Sequence, residues 1–273
     1  MSSYEERYND PLLEQLSIEY QAEQFGRNLF NNGTMAPLGV AFVQETTIFR
    51  EFGPLSGSTM RLAYEVAPKI GNLLGRQTLD ADARKYFRLG ATGLLALRAR
   101  GFKSWGQNPD YTFFGGNSEL RGYEYLSFIG QNAFFTNAEL RFPLIDAMAT
   151  PIGVLGGVRA TLFAGLGGAY FDGTPFKAWT NNTTIERPNI GFDDITGAPE
   201  LGSPVLIDGF RLVDSRASYG ISLSTMALGF PVHFDWSWRT LMNKDWEDVQ
   251  FAQAGGSEAF RKVKFTMWIG YDW

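Results

Sequence analysis

The chain has no cysteine in its 273 residues. That excludes a disulfide framework and any thiolate metal site. No run approaches the ~18 consecutive apolar residues of a transmembrane helix. The opening stretch "MSSYEERYNDPLLEQ" is polar and acidic, without the apolar centre of a signal peptide. Charged residues are only 19% of the chain, and the formal net charge is −5. Phosphate binding needs a concentrated basic surface, so nucleic acid is excluded as the default partner. Sustained helical spacing with caps is scarce as well. The sequence has a single histidine, His233, facing Asp235 across one strand repeat. No serine or cysteine nucleophile sits in an elbow-like turn to make that pair catalytic.

Aromatic residues (15%) and glycine (31 residues) are abundant, and the dominant pattern has a period of two. In "FRKVKFTMWIGYDW", Val263, Phe265, Met267, Ile269, Tyr271 and Trp273 share one side, with Lys262, Lys264 and Thr266 on the other. "PVHFDWSWRT" sets Val232, Phe234, Trp236 and Trp238 against His233, Asp235, Ser237 and Arg239. Alternation of this kind puts one apolar and one polar face on each strand. "STMRLAYEVAPK" and "KYFRLGATGLLALRAR" follow the same rule. Further strands are predicted at 127–142, 153–171, 214–226 and near 36–49, with 11–24 a weak strand candidate. The class is all-β.

Short links at 143–151 and 228–231 alternate with long ones at 101–126, 172–212 and 241–259. Soluble sandwiches seldom carry connections that long, whereas transmembrane barrels pair short turns with long extracellular loops. Several strands exceed the ~9–11 residues that cross a bilayer at a tilt. A lipocalin-like barrel with the apolar face inward is the competing reading, because alternation alone does not say which side is wet. Charge on the apolar positions Ile221, Phe234 and Phe265 is expected to block membrane integration. Charge at Ser237 or Thr266 is expected to be tolerated.

"FFGGNSELRGYEY" (113–125), "NAELRFPL" (137–144) and "LFAGLGGAYFDG" (162–173) together resemble the C-terminal barrel of the outer-membrane assembly-factor and two-partner-secretion transporter superfamily, the bacterial surface antigen domain. "FGPLSGSTMRLAYEVAP" and the stretch after it resemble a branch in which a TolB-like propeller precedes the barrel. The resemblance runs from about residue 36 to the end and implies an outer-membrane location. Its signature is Leu120, Arg121, Gly122 and Tyr123, on a loop hinged at Gly115 and Gly116. The resemblance implies that this loop folds into the lumen and that Arg121 docks on Glu139. On the following strand the family alternates phenylalanine, aspartate and glycine, which here fall on Phe163, Gly165 and Gly167. The aspartate is absent, so one leg of the family anchor is missing. Loss of Arg121 and loss of Glu139 are then expected to have similar effects. Trp273, with Phe265 and Tyr271 on an alternating last strand, is similar to the signal that marks outer-membrane barrels for insertion, with Trp273 pointing outward.

Other motifs carry less. "AGLGGAYFDG" follows strand periodicity and opens no helix, so it is not a dinucleotide loop. Asp193, Asp194, Glu200 and Asp208 could offer calcium hard oxygen ligands, but their spacing fits no EF-hand, and a solvated acidic loop is the favoured reading. No cofactor or metal is expected. About eight or nine strands are legible, fewer than the ~16 of the family barrel. A closed eight-stranded barrel would be filled by its own side chains. The expectation is therefore the C-terminal portion of a larger transmembrane antiparallel β-barrel: an N-terminal segment at 1–35 and a barrel portion at 36–273. The expected function is non-enzymatic protein assembly into, or translocation across, the outer membrane, with lipid, the barrel-assembly machinery and client proteins as partners. The alternative is a structural anchor or passive pore for a periplasmic propeller.

Overall fold

A computed structural model describes residues 2–4, 11–25, 33–50, 53–150, 153–193, 196–227 and 230–273. The alternating segments form nine strands that pair in chain order into one antiparallel sheet. They are β1 (Leu38–Glu45), β2 (Gly53–Ala67), β3 (Arg76–Leu89), β4 (Gly93–Gly106) and β5 (Asn132–Thr150). β6 (Gly153–Tyr170), β7 (Arg216–Ala227), β8 (Phe230–Thr240) and β9 (Lys264–Ile269) complete the meander. The short strand Ile48–Arg50 pairs with β2 off this path. Among the described residues no register joins β1 to β9, so the hydrogen-bonded path stays open.

The burial of the two faces is the reverse of a soluble core. On β9, Phe265, Met267 and Ile269 are 55%, 61% and 65% exposed. On β8, His233, Asp235 and Ser237 are 3%, 1% and 1% exposed. Ile221, Leu162, Leu140 and Leu97 lie on the exposed side of neighbouring strands, while Arg98, Glu139, Arg141 and Thr161 are buried on the other. A sheet that buries ion pairs and presents aliphatic side chains outward is stable only where the outer medium is apolar. This settles which face is wet, the point that alternation leaves open.

The two ends of the sheet differ. β3 and β4 are joined by three residues, 90–92, at one end. The connections 107–131, 171–215 and 241–263 all leave from the other end. Several expected links are shorter than the sequence pattern suggests. Residues 143–150, expected as a turn, continue β5, and Pro143 is accommodated at a register irregularity between Pro143 and Ile145. The centre of that link, 151–152, and residues 228–229 of the other short link lie outside the described residues. β4 continues through Gly106, because the 98–105 alternation still pairs with β3 up to Arg76.

The long connections also carry structure that the strand pattern conceals. Residues 172–212 form a nested hairpin, with Trp179–Thr180, Thr184–Glu186 and Asn189–Phe192 pairing Arg211–Leu212, Val205–Ile207 and Pro199–Leu201. Asp193 closes its turn by accepting from the Thr196 backbone at 2.6 Å and hydroxyl at 2.7 Å. Asp194 lies outside the described residues. The weak strand candidate at 11–24 is a helix, α1 (Pro11–Phe25). Proline suits the first helical position, and Gln15 donates to Glu19 one turn on at 3.0 Å. The 241–259 stretch holds α2 (Lys244–Gln250) and α3 (Gly256–Phe260), the former capped by Asn243.

One expectation about charge tolerance is corrected. Ser237 is buried against the loop from β4 to β5, where a Cβ at Gly122 would lie 3.0 Å from the Ser237 Cβ, so it has no room for a charged side chain. Thr266, half-buried on the inner face, keeps its expected tolerance. Ile221→Lys or Phe265→Lys is expected to cost about 2–4 kcal/mol at mid-membrane depth and to reduce integration into lipid vesicles sharply. Thr266→Lys should integrate like the unaltered protein.

Candidate functional site

The loop between β4 and β5 turns back because its glycines adopt conformations other residues avoid. Gly115, Gly116 and Gly122 have φ of 137°, 84° and 86°. A Cβ at Gly115 would lie 2.4 Å from the Glu124 carbonyl oxygen. The loop stem is a small hairpin, Thr112–Phe114 with Phe128–Gly130, and a bridge between Gly116 and Leu120 tightens its tip. Phe114 stacks on Phe128 with ring centroids 4.6 Å apart and packs on Phe135 of the wall at 5.5 Å. The apolar part of the loop therefore docks first-hand on the inner face of β5.

Arg121 lies at the centre of the contact, 6% exposed, with Glu139 2% exposed. Its Nη2 donates to Glu139 Oε1 at 2.7 Å, and its Nε donates to the Asn117 carbonyl at 3.2 Å. The guanidinium carbon sits 4.6 Å from the Phe163 ring centroid, close enough for cation–π attraction. Glu139, Phe163, Gly220 and Ser237 form one row across β5 to β8. Phe163 leans across this row: a Cβ at Gly220 would lie 2.5 Å from its Cζ. Tyr123 reaches β7, donating to the Ala217 carbonyl at 3.2 Å. Burial raises its phenol pKa above the ordinary range, with Arg216 and Arg239 offsetting part of the effect, so Tyr123 stays a donor.

Gly165 and Gly167 act as sockets. Leu120 is fully buried, and a Cβ at Gly165 would meet its Cδ1 at 2.9 Å and Asn137 Oδ1 at 2.6 Å. A Cβ at Gly167 would meet Phe114 at 2.8 Å. An aspartate at Gly165 therefore has no room while Leu120 is seated. The second acidic neighbour of Arg121 is instead Asp235 on β8, with Oδ2 3.6 Å from Nη1. Trp268 Nε1 donates to the same Asp235 oxygen at 2.9 Å, and Trp268 stacks on His233 at 3.8 Å. The His233–Asp235 pair is thus part of the loop's receptor wall.

Parity along β5 puts Asn137 and Arg141 on the polar face with Glu139, but sequence reasoning missed the contacts made there and the partners Arg98, Arg100 and Glu119. Arg141 donates to Glu139 Oε2 at 2.8 Å from the opposite side. Arg98 bonds Asp82 at 2.8 Å and donates to the Ser118 carbonyl at 3.1 Å, so it links wall and loop. Arg100 pairs with Glu119 at 3.3 Å, and Asn137 donates to the Glu119 carbonyl at 2.6 Å. Their shared parity with Glu139 on paired strands was the available signal.

The expected outward position of Trp273 is corrected. The β8–β9 ladder ends at Val232 and Ile269, and the chain then turns inward. The Trp273 ring lies 5.1 Å from the Arg141 guanidinium and 5.8 Å from that of Arg98. Asp272 lies 3.9 Å from Arg141 and 3.8 Å from Arg159. Three cations on β4 to β6, with Arg98 and Arg141 buried and Arg159 partly buried, attract a carboxylate and an aromatic face more strongly than one more rung of ladder would. Phe265 remains outward, and Tyr271 is exposed beyond the strand.

The Omp85 superfamily domain matches residues 40–271, most of the chain. No curated protein matches it.

The shared acceptor makes the two sides of the contact unequal. Arg121→Ala leaves Glu139 paired with Arg141. Glu139→Ala leaves Arg121 and Arg141 buried, with the side-chain carboxylates of Asp235 and Asp272 no nearer than 3.6 and 3.9 Å. An uncompensated buried charge typically costs about 3–5 kcal/mol. Glu139→Ala is therefore expected to lower the unfolding midpoint and expose the loop to protease clearly more than Arg121→Ala. Equal losses in the two variants would contradict this charge arrangement.

Proposed function

Since the chain belongs to the Omp85 superfamily, we propose that its membrane-spanning sheet serves protein assembly into, or translocation across, the bacterial outer membrane, without covalent chemistry. Outer-membrane protein assembly and translocation is the role of the superfamily as a whole. The single observation that carries the finer reading is the docked loop, held at 2.7 Å by Arg121 on Glu139. A passive pore has no need of a glycine-hinged loop fitted into sockets at Gly165 and Gly167. A working barrel needs its lumen closed at rest and a closure that can be released.

In this reading Leu120, Arg121, Gly122 and Tyr123 are the latch, and Glu139 with Asp235 and Phe163 is its receptor. Phe265, Tyr271 and Trp273 form the insertion signal read by the barrel-assembly machinery when the protein itself is made. A second reading, a membrane anchor for a periplasmic propeller, is favoured by the tightness of the same contact. The space bounded by Arg121, Glu139, Phe163 and Ser218 leaves no cavity for a water, so the docked loop is also a durable plug.

The two readings separate in the cell. Depleting the protein should lower the amounts of other outer-membrane or secreted proteins, read by quantifying the outer-membrane proteome. Arg121→Ala should reproduce part of that loss at normal barrel abundance. An unchanged proteome after full depletion favours the anchor.

A further inference from the structure

A depression on the outer face of the sheet is used by neither the loop nor the lumen. It is open on its outer side, holds about 310 Å³ over β3 to β6, and is lined by Leu79, Ala81, Gly101, Lys103, Phe134 and Tyr170, among others. Two rows of paired residues build it, Ala81–Gly101–Phe134–Gly168 and Leu79–Lys103–Asn132–Tyr170. Their parity is that of the outward Leu97, opposite to that of Arg98 and Arg100, which bond inward to Asp82 and Asp80. The floor is low because Ala81 and Gly101 supply little or no side chain. One wall is aromatic: Phe176 from the long hairpin stacks on Tyr170 at 4.3 Å and meets Phe134 edge-on at 6.2 Å.

Lys103 sits on the side nearer the long loops, exposed, and among the described residues it has no carboxylate within ion-pair distance. Beyond it at the same level Tyr64 and Trp105 form a second ring pair, 6.4 Å apart. Tyrosine and tryptophan mark the depth where hydrocarbon meets headgroups, and a lysine there holds its ammonium among lipid phosphates. The volume matches the lower end of small-ligand pockets, roughly 300 Å³.

We propose that this groove binds one membrane lipid, with an acyl chain laid over Ala81 and Gly101 against Phe134 and Tyr170, and an anionic phosphate headgroup on Lys103. The choice of occupant rests on the membrane placement of the outer face and on the unpaired cation at headgroup depth. A Cβ at Gly101 meets nothing within 4 Å, so a large side chain there fills the groove without disturbing the sheet.

The test uses the protein in nanodiscs of equal phosphatidylglycerol and phosphatidylcholine, with retained lipid counted by native mass spectrometry after mild detergent release. One retained lipid is expected, with about a fivefold preference for phosphatidylglycerol, the effect of one lysine near an anionic surface. Lys103→Gln should keep the lipid and lose the preference. Gly101→Phe should lose the retained lipid while keeping the β-sheet circular dichroism of the unaltered protein. Unchanged occupancy and preference in both variants overturns the proposal. So does a stable dimer that Gly101→Phe dissolves, which would make the groove a contact between copies. Failure of the membrane reading is distinct, because the protein would then not enter nanodiscs at all.

Discussion

Burying a guanidinium on the inside of a sheet is tolerable only if a carboxylate waits for it, and the Arg121–Glu139 bond of 2.7 Å meets that condition. Much of the lumen side follows from this bond. Glu139 must be held between two cations, so Arg141 approaches it from the far side at 2.7 Å. Arg141 in turn is neighboured by Asp272 and by the Trp273 ring. The C-terminal residues thereby leave the last strand and enter the same polar network as the loop. Loop, wall and chain end share one set of charges, so the state of one bears on the others.

The apolar half of the contact explains the composition of the wall. Leu120 and Phe114 need recesses, and these exist only where β6 carries glycine, at Gly165 and Gly167. Seating Leu120 leaves no room for an aspartate at Gly165, and Asp235 supplies a second negative charge from two strands away. Gly220 makes the analogous concession to the Phe163 ring.

The strands were legible in the sequence because a face that meets lipid and a face that meets buried charge differ at every second residue. Phe265, Met267 and Ile269 against Lys264 and Thr266 is that signal in its plainest form. The Arg121–Glu139 pairing was reachable through the resemblance carried by "SELRGYEY" and "NAELRFPL". What stayed hidden has physical causes. Asp235 and Arg98 reach Arg121 and its loop through registers between strands distant in sequence, which no local pattern encodes. The inward turn of Trp273 depends on three arginines brought together by pairing across β4 to β6. α1 was read as a weak strand because Leu12, Leu13, Leu16 and Tyr20 are exposed and impose no clear period, although Pro11 and the Gln15–Glu19 spacing were helical cues.

The central claim is that the loop is docked inward while the protein spans the membrane. The absence of native cysteine makes a single introduced thiol an unambiguous reporter. Leu120, on the loop, is fully buried against the wall at Gly165, whereas Tyr125, five residues on, is exposed. The direct measurement is labelling of Leu120→Cys and Tyr125→Cys in intact membranes by an impermeant maleimide. Rapid labelling at Tyr125→Cys with protection at Leu120→Cys, relieved when Glu139→Ala is added, is the expected result. Equal, rapid labelling at both positions in the otherwise unaltered protein would contradict the docked loop.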